Sequence, residues 1–111
     1  MNDKYILDEN HQLIECDDLM KWANWFENAK RRVAKTTLAN DVMVSTVFLG
    51  LDHNFGKGTP ILFETMIFGG EFDQEMDRYS TWDEAEKGHE KMVAKAKSHF
   101  YQHKEKRQSR L

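Results

Sequence analysis

The spacing of apolar and polar positions changes several times along the chain, and each change marks an element. Tyr5-Ile6-Leu7 and Gln12-Leu13-Ile14 are short apolar runs separated by Asp8-Glu9-Asn10-His11, which predicts a small hairpin with turn-forming Asp and Asn. Asp17 or Asp18 then caps a helix. Leu19, Trp22, Ala23 and Phe26 recur at i, i+3, i+4 and i+7 and form one apolar stripe, widened by Met20 and Trp25. The stripe ends near Asn28. Arg31 to Leu38 alternates weakly, as a strand would, and Ala39-Asn40-Asp41 reads as a turn.

Val42 to Leu51 is apolar on both faces, the pattern of a central strand. Asp52 to Pro60 is a loop containing Gly56 and Gly58, and Ile61 to Phe68 is a second strong strand stopped by Gly69-Gly70. Glu71 to Ser80 is polar and leaves room for a short strand over Met76 to Tyr79. Thr81-Trp82-Asp83-Glu84 is a capping-box sequence. The helix it opens is expected to run to about His103, with Ala85, His89, Met92, Ala96 and Phe100 facing inward. Lys104 to Leu111 has no apolar stripe and is expected to fray. The order β-β-α-β-β-β-β-α predicts a single α+β domain over residues 1–111. Its antiparallel sheet has about four to six strands, and both amphipathic helices pack on one face.

Composition narrows the class. The chain has 111 residues with 40% hydrophobic and 12% aromatic content, enough for one core without staples. Its single cysteine, Cys16, cannot form an internal disulfide and is read as a core residue. Residues 1–4 do not read as the start of a signal peptide. The longest apolar stretch, residues 42–51, is broken by Ser45, Thr46 and Gly50 and is too short to cross a membrane. A cytoplasmic protein without a membrane partner is expected. Net charge is −3, but residues 61–90 carry nine acidic and two basic residues, and residues 91–111 carry seven basic and one acidic. Those blocks complement the dipole of the second helix.

Several residues are candidates for chemistry. The loop His53-Asn54-Phe55-Gly56-Lys57-Gly58-Thr59-Pro60 has a faint likeness to a phosphate loop, but a strand follows it where a helix is required. It reads as a hairpin loop, able to hold an anion on the backbone amides around its two glycines or to present Phe55 and Lys57 to a partner. Glu64 sits among apolar neighbours and needs a cationic partner, solvent or a raised pKa; Arg31, Arg32 and Arg78 are the candidate partners. His99 and His103 share a helix face, but without the glutamate that a zinc helix places after its first histidine, no metal site is assigned. His89 lies on the inward stripe beside Gly88, where a mid-helix glycine implies close approach of helix and sheet or a ligand passing there. No nucleophile motif is present, so no catalytic residue and no cofactor are assigned. Arg31, Arg32, Lys35, Lys57 and Phe55 form a candidate basic-aromatic patch, but the acidic 61–90 block argues against nucleic acid. Glu71, Asp73, Glu75 and Asp77 alternate along the polar segment. Such a row can engage a partner or block strand addition at a sheet edge.

The words VSTVFLGLDHNFG (44–56), LFETMIFGG (62–70), DRYST (77–81) and Gly88-His89 resemble those of a family of small bacteriophage and prophage proteins. The resemblance covers roughly residues 30–93, and the basic tail departs from it. It implies a phage-type accessory protein acting in the cytoplasm of an infected bacterial cell, and it carries no reaction with it. Proteins of that kind commonly occupy a host protein, including antiviral nucleases. The leading expectation is therefore a non-catalytic binding or inhibitor module against a host protein, possibly one of antiviral defence, using Phe55, Lys57, Glu71, Asp73, Glu75 and Asp77. The alternative is a protein that binds or sequesters a small ligand or nucleotide signal, or a small hydrolase. In that alternative His53, Glu64, Arg78, Tyr79 and His89 meet in one cleft. A homo-oligomeric structural part is the third expectation.

Overall fold

The computed structural model describes the backbone of residues 2–109 and the side chains of residues 2–98. The elements follow the expected order: β1 (Tyr5–Leu7), β2 (Leu13–Glu15), α1 (Leu19–Asn28), β3 (Arg32–Thr37), a 3-10 turn (Ala39–Asp41), β4 (Met43–Phe48), β5 (Phe63–Phe68), β6 (Met76–Tyr79) and α2 (Trp82–Ser109). The fold is α+β with antiparallel pairing throughout. The expected sheet divides in two, a β1-β2 hairpin and a four-stranded sheet in the order β3-β4-β5-β6. The two are tied by a bridge between Lys4 and Leu51 and by the Tyr5 amide donating to the Gly50 carbonyl at 2.9 Å.

One face of the four-stranded sheet holds the core. Val44, Thr46 and Phe48 on β4 lie opposite Ile67, Thr65 and Phe63 on β5, all six with essentially no exposure. α2 covers this face by packing against all four strands. Its expected stripe is buried at Ala85, His89, Met92 and Ala96; Phe100 lies outside the described side chains. The stripe sorts the core into layers. Phe48, Phe63, Leu62 and Ala85 form one apolar cluster with Tyr5 and Leu7. Val44, Ile67, Met92 and Ala96 form another with Val42. Between them β4, β5 and α2 each contribute a polar residue: Thr46, Thr65 and His89.

α1 starts as expected, with Asp18 accepting from the Lys21 amide at 3.1 Å. Its inward face is rotated from the expected stripe. Trp22, Trp25 and Phe26 are half-buried, whereas Leu19 and Met20 are 61% and 77% exposed. Gly50 decides the rotation. Its φ is +76°, and a Cβ there would lie 2.8 Å from the Phe26 ring. The missing side chain is the seat for Phe26 and Trp22, and the Trp22 indole donates to the Tyr5 and Gly50 carbonyls. α1 thus packs on β1, and Trp25 reaches the sheet core edge-on to Phe48 at 5.7 Å between centroids. Both helices therefore meet the same side of the large sheet.

Three further details differ from the sequence reading. β4 and β5 are shorter than the apolar runs that contain them, because Leu49–Leu51 and Ile61–Leu62 continue as the arms of the loop. Phe68, the last residue of the second strong strand, is 42% exposed, since strand alternation puts it opposite Met43 on the uncovered face. α2 is helical past His103 to Ser109; that stretch contains no glycine or proline and consists mainly of good helix formers. Among the described residues, no helix is long and apolar enough to cross a membrane.

Candidate functional site

His89 enters the core because it lies about one helical turn from both Ala85 and Met92, on the same face of α2. Its two ring nitrogens are taken up by the Thr46 hydroxyl at Nδ1 (2.7 Å) and the Thr36 hydroxyl at Nε2 (2.8 Å), and Thr46 in turn bonds the Thr65 hydroxyl. Neutral imidazole has one donor and one acceptor nitrogen, so this is a fully satisfied arrangement. Burial holds the ring below the usual histidine range, only partly opposed by the Glu90 charge. The unfolded chain therefore takes up a proton near pH 6.5 that the folded chain refuses. Stability conferred by neutral His89 is full above that pH and is lost as pH falls from there toward the lower folded value. Thermal melts from pH 7.5 to 5 are expected to show a falling Tm, and His89→Gln is expected to flatten the decline. An unchanged slope in the variant removes His89 from this role.

Gly88 marks close approach rather than a ligand path. A Cβ at that position would sit 2.1 Å from Cζ of Tyr79, so the phenol occupies the space the glycine leaves. The Tyr79 hydroxyl is buried, and burial pushes its pKa up, partly opposed by the Thr65 hydroxyl.

Glu64 and Arg78 lie opposite each other on β5 and β6, on the sheet face away from α2. Arg78 Nε donates to Glu64 Oε2 at 3.0 Å, so of the three arginines expected as partners it is Arg78 that pairs. His53 is elsewhere again, in the 52–60 loop, its Nδ1 donating to the Leu51 carbonyl at 2.8 Å. The five residues grouped as a small-ligand site are therefore distributed over two faces and a loop. Tyr79 and His89 belong to the core, Glu64 and Arg78 to the open face, and no single cleft joins them.

The loop is the most elaborately built local structure. Asp52 is 7% exposed, and its carboxylate accepts from three amides: Asn54 (2.7 Å), Ile61 (3.0 Å) and Gly56 (3.2 Å). Burial by itself raises the Asp52 pKa, but these amides and the neighbouring His53 outweigh it and the net shift is downward. The Asn54 side-chain amide donates to the Lys57 and Thr59 carbonyls at 3.1 and 2.9 Å. These bonds hold Phe55 at φ +54°, followed by Gly56 at +76° and Gly58 at +112°. A bulky side chain at positive φ costs about 1–2 kcal/mol. Phe55 bears that cost while 81% exposed, with no packing of its own to compensate. Beside it, Asn2, Asp3, Leu51, Asp52, His53 and Gly56 line a cleft of about 440 Å³.

No family model, curated protein or solved structure matches this chain.

Removing the Asp52 carboxylate leaves three amides without their acceptor. Asp52→Ala is expected to cost about 1–3 kcal/mol and to speed hydrogen exchange at Asn54, Gly56 and Ile61 while leaving the β4-β5 ladder protected. Protection retained at those three amides overturns this account of the loop.

The acidic residues do not line up as one row. Residues 71–74 are a turn, and β6 spans Met76–Tyr79, where the short strand was expected. Asp73 accepts from the Gly69 amide at 2.6 Å, and Glu75 pairs with Lys95 at 2.9 Å. Asp77 is exposed on the edge strand. Glu75 and Asp73 are thus committed to closing the β5-β6 connection and fastening it to α2. The basic-aromatic patch is likewise divided: Arg31 lies over the Phe26 ring at 3.7 Å, Arg32 and Lys35 belong to β3, and Lys57 and Phe55 belong to the loop. Cys16 is buried as expected. Among the described residues, no group of three or more His, Cys, Asp or Glu is arranged to hold a metal; the His99 and His103 side chains lie outside those described.

Asp52 and Asn54 were missing from the sequence-derived candidates. The signal was present in Asp52-His53-Asn54-Phe55-Gly56, because Asp and Asn two residues apart before a glycine are the side chains that cap their own turns. Phe55 and Lys57 were found, but their presentation depends on those two caps.

Proposed function

We propose that this chain is a non-catalytic binding module that occupies a partner protein through the 52–60 loop, with Phe55 as the anchor. The observation that carries this reading is the combination at Phe55: high exposure, a disfavoured backbone conformation, and a side-chain network from Asp52 and Asn54 that enforces it. Strain held in place by surrounding bonds is a mark of a functional position, and large aromatic side chains are the usual anchors of interfaces. Lys57 is exposed on the same turn and adds charge to the anchor. The resemblance of the motif words to small phage and prophage proteins is what favours a partner in an infected bacterial cell. Inhibition of a host defence protein is the role we assign.

The test separates binding from stability. Phe55→Gly relieves the positive φ and is expected to leave stability within about 1 kcal/mol of the parent chain. Affinity purification from phage-infected bacteria is expected to return one host protein at a stoichiometric ratio with the parent chain and none with Phe55→Gly. Absence of any stoichiometric partner, or equal recovery with the variant, refutes the proposal.

A further inference from the structure

The second surface is the face of the four-stranded sheet that α2 does not cover. No described element packs on it: α1 packs on β1, and the core clusters all lie on the other side. Strand register assembles its composition from residues far apart in sequence. Met43 lies opposite Phe68, and Met66 lies opposite Ser45 on one side and Met76 on the other. These four apolar side chains form one block toward the end of the sheet away from the 52–60 loop. Phe68 and Met76 are 42% and 49% exposed. A contiguous apolar block on a surface marks an interaction site. Methionine, unbranched and polarisable, is the side chain that adapts to a partner's shape.

The border of the block is basic along β3, whereas the acidic Asp41 and Asp73 stand at its Met43–Phe68 end. Lys35 lies opposite Ser45 and Arg32 opposite Val47, so both project from β3 onto this face and both are exposed. Arg78 is balanced by Glu64. On its β3 side the face therefore carries an excess of positive charge in a chain whose net charge is −3. Like charge on both copies opposes a face-to-face dimer. A single aromatic among methionines is a poor stacking platform for nucleic acid bases. The complement that remains is a protein segment with an apolar stripe and acidic flanks.

We infer that the open sheet face, with Met43, Met66, Phe68 and Met76 at its centre and Arg32 and Lys35 at its border, docks an amphipathic acidic helix of a partner protein. The apolar stripe lies across the methionines, and the acidic flank meets β3. This surface is distinct from the 52–60 loop, so the two proposals fail separately.

The test uses the full chain with 13C-labelled methionine methyls and two synthetic amphipathic helical peptides. They share length and apolar stripe and differ only in flanks of glutamate or of lysine. The glutamate peptide is expected to shift the methyls of Met43, Met66 and Met76, and the lysine peptide to bind about tenfold more weakly. Arg32→Glu with Lys35→Glu, both at exposed positions, is expected to reverse that preference, whereas Phe55→Gly leaves it unchanged. Equal binding of both peptides, or shifts confined to other methyls, overturns the proposal. Methyl shifts that follow protein concentration without peptide, or that appear with a thymidine oligonucleotide and with neither peptide, assign the face to self-association or nucleic acid and overturn it equally.

Discussion

Phe48→Ala is expected to lower the unfolding free energy by about 3–5 kcal/mol, whereas Phe68→Ala is expected to cost less than about 1 kcal/mol. The two residues look alike in sequence, each a phenylalanine late in an apolar run. Phe48 has no exposed surface, and its ring lies 5.2 Å from that of Phe63 and 5.7 Å from that of Trp25. Deleting it opens a cavity where the large sheet, α1 and the hairpin converge, and rigid rings on two sides limit collapse into it. Phe68 already meets solvent, so truncation loses only part of its burial. Urea titrations at neutral pH measure both. Equal losses at the two positions contradict the strand register that places them on opposite faces.

Gly88→Ala is the second large effect, and its sign is unusual. In an ordinary helix interior this change stabilises by about 1 kcal/mol. Here the new methyl would lie 2.1 Å from Tyr79 Cζ and 2.2 Å from its Oη, so the phenol has to leave its seat against α2 to admit it. An expected loss of about 1–3 kcal/mol follows from overpacking. The cause is a single partner, so the effect is conditional. In a Tyr79→Ala background the same substitution is expected to become neutral or stabilising, and the cycle of single and double variants gives a coupling of about 2 kcal/mol or more. A stabilising Gly88→Ala in the parent chain, or additive singles and double, removes the close approach inferred between α2 and β6.

These two substitutions also show how differently sequence and tertiary structure contribute. Element order was legible from local pattern. Asp18 and Thr81 open the helices where their side chains accept amides from the first turn, Gly69 and Gly70 follow β5 with positive φ, and the inward stripe of α2 runs through Ala85, His89, Met92 and Ala96. Capping, turn chemistry and helical periodicity act over a few residues, so a few residues suffice to read them. Glu64 was likewise legible as a carboxylate in need of a cation, and Arg78 was among its candidates.

What local pattern left open was set by pairing between distant strands. A strand apolar on both faces does not say which face a helix covers; the docking of α2 made Phe48 core and left Phe68 and Met66 on the surface. Gly50 reads as an interruption inside the Val42 to Leu51 run, yet the rings of Trp22 and Phe26 that fill its empty side arrive from α1 and turn that helix away from its most regular stripe. His53, Glu64, Arg78, Tyr79 and His89 all fall in the motif words, but the period of two along a strand sends Arg78 and Tyr79 to opposite faces, His53 stays in the loop, and α2 carries His89 into the core. The chain alone determines its elements and their caps, because those depend on contacts within one or two turns. Only the tertiary structure decides which side of the sheet is bare and that Phe55 is held exposed at a positive φ, because those depend on bonds closed between segments that the sequence keeps apart.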